Sequence, residues 1–183
     1  MKYNVFCLAV VVLFLTSCVN KVSSIKQDID LKLEADMGYL LMGVDSNVSM
    51  KDVDIVGQSN IRLSSEDLRP GTQYILIDLQ AGDYQFESIK LNSIFEVELV
   101  EGYWNFNVRP SGISYIGHLD VKADTFFLHQ FTRTNVELTN RSSEALQFME
   151  TEFPNILSKR TMYYEGPGKD PFLRFMQEEN INE

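Results

Sequence analysis

Cysteine and histidine are scarce in this chain, at two residues each, and basic charge is short: 16 Lys and Arg stand against 26 Asp and Glu, a formal charge of −10. Two cysteines cannot make a disulfide-stapled mini-fold or a cysteine-only zinc site. A net negative surface is repelled by the phosphate backbone, which argues against a nucleic-acid partner. Long apolar runs are missing as well. The longest that stands out, Val5 to Leu15, is eleven residues, whereas a membrane-spanning helix needs roughly 20. No repeat and no low-complexity tract is visible, so the remainder reads as ordinary globular sequence.

That single run sits in a telling place. Lys2 gives a short positive n-region and VFCLAVVVLFL follows it, the length of a signal-peptide h-region. Thr16, Ser17 and Cys18 come next. The block Leu15-Thr16-Ser17-Cys18 resembles the lipobox of bacterial lipoproteins. The resemblance implies that residues 1–17 are a signal peptide, that the Cys18 thiol receives a diacylglycerol, and that cleavage before Cys18 frees an amine for a further acyl chain. One acyl chain binds a membrane only marginally, and stable anchoring needs at least two, so a tri-acylated Cys18 would hold the protein firmly. By the same resemblance, Val19 in place of aspartate after the cysteine points to the outer membrane of a Gram-negative envelope, facing the periplasm. Processing would remove Cys7 and Lys2, leaving 15 basic against 26 acidic side chains and no free thiol.

Residues 18–30 (CVNKVSSIKQDID) are polar after the cysteine and have no firm period; they read as a short tether. Residues 31–141 read as one β domain. Short β-branched or aromatic units are separated by Gly, Pro, Asn and Asp: Gly38 to Val44, Val48 to Val56, Tyr74 to Leu79, Tyr84 to Leu91, and a cleanly alternating Phe95 to Val100. Units recur about every ten residues, too closely for helical crossovers. The fold class expected is mainly β, a single antiparallel β-sandwich or partly open barrel with a short C-terminal helical segment. Residues 142–183 form that segment. Asn140 to Ser143 offer helix caps, Leu146, Met149, Phe153, Ile156 and Leu157 keep helical spacing, and Pro154 ends or kinks the helix. Phe172 to Met176 form a last apolar stretch before an acidic tail.

The body also resembles small bacterial lipoproteins with an immunoglobulin- or prealbumin-like sandwich. The residues that carry this are the Pro70-Gly71 turn ahead of Tyr74, Ala81-Gly82-Asp83-Tyr84, Phe106 and Val108, and Pro110 through Gly117. The likeness covers roughly residues 70 to 121. Such families have no agreed activity, so it implies a fold and assigns no role to Tyr84 or Tyr115.

Candidate chemistry is thin. His118 and Asp120 share a strand face, and Asp124 and His129 could meet them across a hairpin as a zinc or copper set. The plainer reading puts His118 and Asp120 on a solvated face with Leu119 and Val121 inward. Ser114, in Gly112 to Gly117, misses the G-x-S-x-G spacing and lacks a strand-to-helix elbow; a structural hydrogen bond suits it better. Gly166-Pro167-Gly168-Lys169 is no phosphate loop. Asp52 with Asp54, and Glu96 with Glu98, are i,i+2 carboxylate pairs of the kind a glycosidase would use, although a solvated strand face accounts for them. Tyr103, Trp104, Phe106, Phe126, Phe127 and Phe131 are dense enough to be core, or else an aromatic groove. The sequence therefore names no catalytic, cofactor-binding or metal residue, and one lipid-attachment residue, Cys18. The expectation is a lipid-anchored, non-catalytic binding or assembly module with an envelope protein partner; the alternative is an envelope hydrolase acting on cell wall or lipid.

Overall fold

The computed structural model describes residues 19–30, 32–100, 102–126 and 130–181. The expected signal peptide, Cys18, Phe127 and His129 lie outside them. Eleven strands and three helices follow in order: β1 (Asn20–Val22), β2 (Met37–Ser46), β3 (Asp52–Gly57), β4 (Ile61–Ser64), β5 (Gly71–Gln80), β6 (Gly82–Lys90), β7 (Glu96–Glu98), β8 (Asn105–Val108), β9 (Ile113–Phe126), β10 (Gln130–Thr139), α1 (Ser142–Glu152), α2 (Pro154–Leu157), β11 (Met162–Tyr164) and α3 (Pro171–Ile181). None of the described helices is long and apolar enough to cross a membrane.

The strands form two packed sheets, the expected sandwich, and they do not close into a barrel. The first sheet runs β1-β4-β3-β6-β7, with β8 sharing the outer edge of β6; the second runs β10-β9-β2-β5, with β11 continuing the edge of β9. Pairing is mixed rather than antiparallel throughout. β2 lies parallel to β9, β1 to β4 and β11 to β9. No helical crossover is needed for the β2–β9 pair, because the chain passes through β3 and β4 of the first sheet, β5 of the second and then β6 to β8 of the first before returning as β9.

Alternation along the strands sorts the side chains into two cores. Leu40, Met42, Val44, Ile75, Ile77, Leu119 and Val121 of the second sheet face Val53, Ile55, Leu63, Phe86 and Phe106 of the first. The opposite face of the second sheet presents Tyr39, Leu41, Leu76, Ile113 and Tyr115 to Ala145, Met149, Phe153, Ile156 and Leu173 of the C-terminal helices. β2 is thus buried on both sides, which is why GYLLMGV is continuously apolar instead of alternating. Pro154 does end α1 and begins α2, where its missing N–H costs nothing. Asp170 caps α3, its Oδ1 accepting from the N–H groups of Phe172 and Leu173 at 2.8 and 3.1 Å.

Residues 19–30 differ from the tether expected of them. β1 pairs with β4 along Asn20–Val22. The Ser24 N–H donates to Asp67 Oδ2 at 3.0 Å, and the Ile25 N–H donates to the Leu76 carbonyl at 2.7 Å. Asp28 accepts from the Asn155 and Ile156 N–H groups at 2.7 and 3.0 Å, so it caps α2 from a distant part of the chain. Asp30 is paired with Arg160 at 3.0 Å. The physical reason is polar: the hydrophilic residues that made the segment look solvated find partners at the folded surface.

Candidate functional site

β9 carries a bulge. Leu41 pairs with Tyr115 but Gly43 pairs with His118, one extra residue on β9, and Gly117 takes the positive φ of 112° that this requires. The bulge brings Tyr115 and His118 to the same face, under α1. Both are fully buried, so the reading of His118 on a solvated face is corrected: Leu119 and Val121 do face inward, but the helical layer covers the other side at position 118. The Tyr115 hydroxyl accepts from the Arg141 N–H at 3.0 Å and sits 2.7 Å from His118 Nδ1. Either the hydroxyl or a protonated Nδ1 can donate in that hydrogen bond, and the other ring nitrogen is Nε2. Among the described residues that Nε2 has no hydrogen-bond partner. The ring meets Tyr74 edge to face with centroids 5.0 Å apart, and Tyr74 stacks on Phe148 of α1 at 4.2 Å. Burial, followed by the charge of Arg141, pushes the His118 pKa down.

Asp120 is not a ligand in waiting. Both its oxygens accept from Arg141 Nη2, at 2.8 and 2.9 Å, and Thr139 Oγ1 donates to it at 2.7 Å. Arg141 also reaches Asp45 at 3.7 Å, itself paired with Lys122 at 2.9 Å. Among the described residues no three His, Cys, Asp or Glu side chains gather as a metal site. His118 and Tyr115 are closed to solvent beneath the helical layer.

Of the carboxylate pairs, Asp54 is buried rather than solvated. It accepts from Arg62 Nη2 at 2.8 Å and from Lys90 Nζ at 3.1 Å, while Glu96 lies 3.5 Å from the same Lys90. Burial alone would raise the Asp54 pKa, but the hydrogen bonds and charges of Arg62 and Lys90 outweigh it and hold it below the ordinary value. Ser114 is buried, and its Oγ accepts from the Arg109 N–H at 2.8 Å. The Gly166–Gly168 turn is braced by Tyr164, whose hydroxyl donates to the Pro167 carbonyl at 2.8 Å. Trp104 and Phe106 are core, whereas Tyr103 is half exposed, its hydroxyl donating to the Leu138 carbonyl at 2.7 Å.

An open concavity lies elsewhere. A cleft of about 570 Å³ is lined by Gly57, Asp83, Gln85, Asn105, Asn107 and Glu165, over the buried rings of Tyr84 and Phe106. Asn107 Nδ2 donates to Asp83 Oδ1 at 2.8 Å. Arg109 pairs with Glu165 and lies over the Tyr163 ring at 4.3 Å. Its rim offers amides and paired carboxylates, chemistry for hydrogen-bonding a polar ligand. The sequence contained a faint signal: Asn105 and Asn107 alternate with Phe106 and Val108, so polar amides share the face opposite the core.

Neither family models, nor curated proteins, nor solved structures include a match to this chain.

Proposed function

We propose that the chain is a lipid-anchored envelope protein, held by acyl chains on Cys18 at the periplasmic face of the outer membrane and acting as a non-catalytic binding or assembly module. The observation that carries this is the order Lys2, eleven apolar residues, Leu15-Thr16-Ser17-Cys18. Anchoring supplies the mechanism, since fixing the domain at a surface raises its local concentration for a partner there. The cleft supports binding over chemistry. Its carboxylates are already engaged, Asp83 by Asn107 and Glu165 by Arg109, so neither is presented as an acid or base for hydrolysis. Metabolic labelling with a radioactive fatty acid tests the reading. The wild-type chain is expected to incorporate label and Cys18→Ala to incorporate none, accumulating as uncleaved precursor. Equal labelling of the two would refute it.

A further inference from the structure

We infer that the end of the sandwich bearing the 57–60 turn is held directly against the bilayer, with no spacer between lipid and fold; this rests on lipid attachment at Cys18. Val19 is joined to Cys18 by one peptide bond, which separates consecutive Cα atoms by about 3.8 Å. The next residue is already part of the fold. The Asn20 N–H donates to the Asn60 carbonyl at 2.8 Å, and Asn20 pairs with Ile61 in the parallel β1–β4 ladder. From Asn20 onward the chain is therefore tied to the sandwich.

The following residues cannot serve as slack. Ser24 is fixed twice, its N–H donating to Asp67 and its Oγ accepting from the Leu76 N–H at 3.1 Å. Lys26 reaches Asp67 at 2.9 Å. Asp28 and Asp30 tie the chain to α2 and Arg160. These contacts involve both sheets and the helical layer, so releasing the segment means breaking each in turn. A free linker of the same twelve residues would instead let the domain wander by about 20 Å.

The register settles which end is apposed. Gly57 closes β3 opposite Tyr84 near the start of β6, and Asn60 precedes β4. The 57–60 turn and the Ala81–Gly82 turn therefore share the end at which Val19 enters. Gly57, Gln58, Ser59 and Asn60 bear no charge, on a chain that is strongly acidic overall, so this turn itself brings no anion against the headgroups, and the carboxylates at this end are the exposed Asp36 and Asp83 beside the Ala81–Gly82 turn. Val19 is exposed and apolar and Lys21 beside it is exposed and cationic, a pairing suited to the interface. The turn at 91–95 lies at the far end of β6, about 27 Å away at the usual strand rise of roughly 3.4 Å per residue.

The full chain is suited to a direct test, because its processed form would carry no thiol except the lipidated Cys18. Gln58→Cys and Ser93→Cys, both at exposed positions, are expressed in full, purified as lipidated protein, labelled with a small fluorophore and reconstituted into phosphatidylethanolamine–phosphatidylglycerol vesicles. Lipid carrying a headgroup nitroxide is expected to remove most of the fluorescence at position 58 and almost none at 93. Inserting a Gly-Ser spacer of twelve residues between Val19 and Asn20 is expected to restore the signal at 58. Equal quenching at both positions, or no effect of the spacer, overturns the inference. Failure of both variants to float with vesicles overturns lipid attachment itself, a separate result from equal quenching of protein that does float.

Discussion

Replacing Gly43 by Ala should be costly in the native protein and harmless once His118 is removed. A Cβ built on Gly43 would lie 2.1 Å from His118 Cδ2 and 2.3 Å from Nε2, where non-bonded carbons settle at about 3.5–4.0 Å. The ring must move by more than an ångström, yet Tyr115 holds it at Nδ1 and Tyr74 abuts it. Overpacking of this kind costs about 1–3 kcal/mol, and losing the Tyr115 hydrogen bond adds about 1 kcal/mol. Gly43→Ala is therefore expected to lower stability by about 2–4 kcal/mol. His118→Ala alone should cost a similar amount, about 2–4 kcal/mol, for the cavity and the stranded hydroxyl. In that background the obstruction is gone. Gly43 is not among the glycines with positive φ, so Ala fits its backbone and restricts the unfolded chain, a gain of about 0.4–1 kcal/mol. The sign of the Gly43→Ala effect thus reverses between backgrounds, a coupling above about 2 kcal/mol. Urea unfolding of residues 19–183, followed by the fluorescence of Trp104, measures all four corners of the cycle. An equal loss from Gly43→Ala with and without His118 would refute the argument.

Acidification should weaken the fold through His118. Its folded pKa is depressed while the unfolded imidazole keeps about 6.5, so the unfolded chain binds the extra proton. The contribution is complete above about pH 6.5 and lost as pH falls below it, at no more than about 1.4 kcal/mol per unit. Urea midpoints between pH 7.5 and 5 should show the decline, and His118→Gln should flatten it; parallel profiles would discard His118 as the cause. Asp54→Asn should cost about 1–3 kcal/mol by leaving Arg62 and Lys90 around an uncharged amide. The low end of the range for buried pairs applies because both cations keep partial access to water. The Asp54 pKa is lowered, so this stability is present above the ordinary carboxylate value and lost as pH falls below about 4. Thermal unfolding of the variant at neutral pH checks the cost, and an unchanged Tm would contradict it.

The fold was legible where one face of a strand is buried and the other wet. Alternation is plain in Glu96 to Leu99, and the helical spacing after Ser142 matched α1 and α2 across Pro154. β11 was not legible, since Met162–Tyr164 is three residues whose ladder is with Ile113–Tyr115, far back in the chain. Nor was the cover over His118. A histidine and an aspartate two apart on a strand look solvated until α1 is placed on them, and nothing within β9 announces that a helix beginning at Ser142 will do so. The cleft was equally hidden, because it joins Asp83, Asn107 and Glu165 from separate parts of the chain.

One cause lies behind both the mistaken tether and the mistaken solvated face. Pattern reading assigns apolar residues to the interior and polar ones to water, which is sound for Leu40 or Val121 but silent about polar residues that meet one another. Ser24 with Asp67, Asp28 with α2, Asp54 with Arg62 and Asp120 with Arg141 are all such meetings. Three of the four join residues more than twenty positions apart, and the Asp28 contact spans well over half of the chain. Their consequence is mechanical. Apolar packing forms the two cores, while these polar latches fix what lies across them: the N-terminal segment along both sheets, and the helical layer over β9. If Cys18 carries lipid, the latches on residues 20–30 are what transmit the anchor's position to the whole sandwich, and the membrane then orients a folded body instead of merely retaining it.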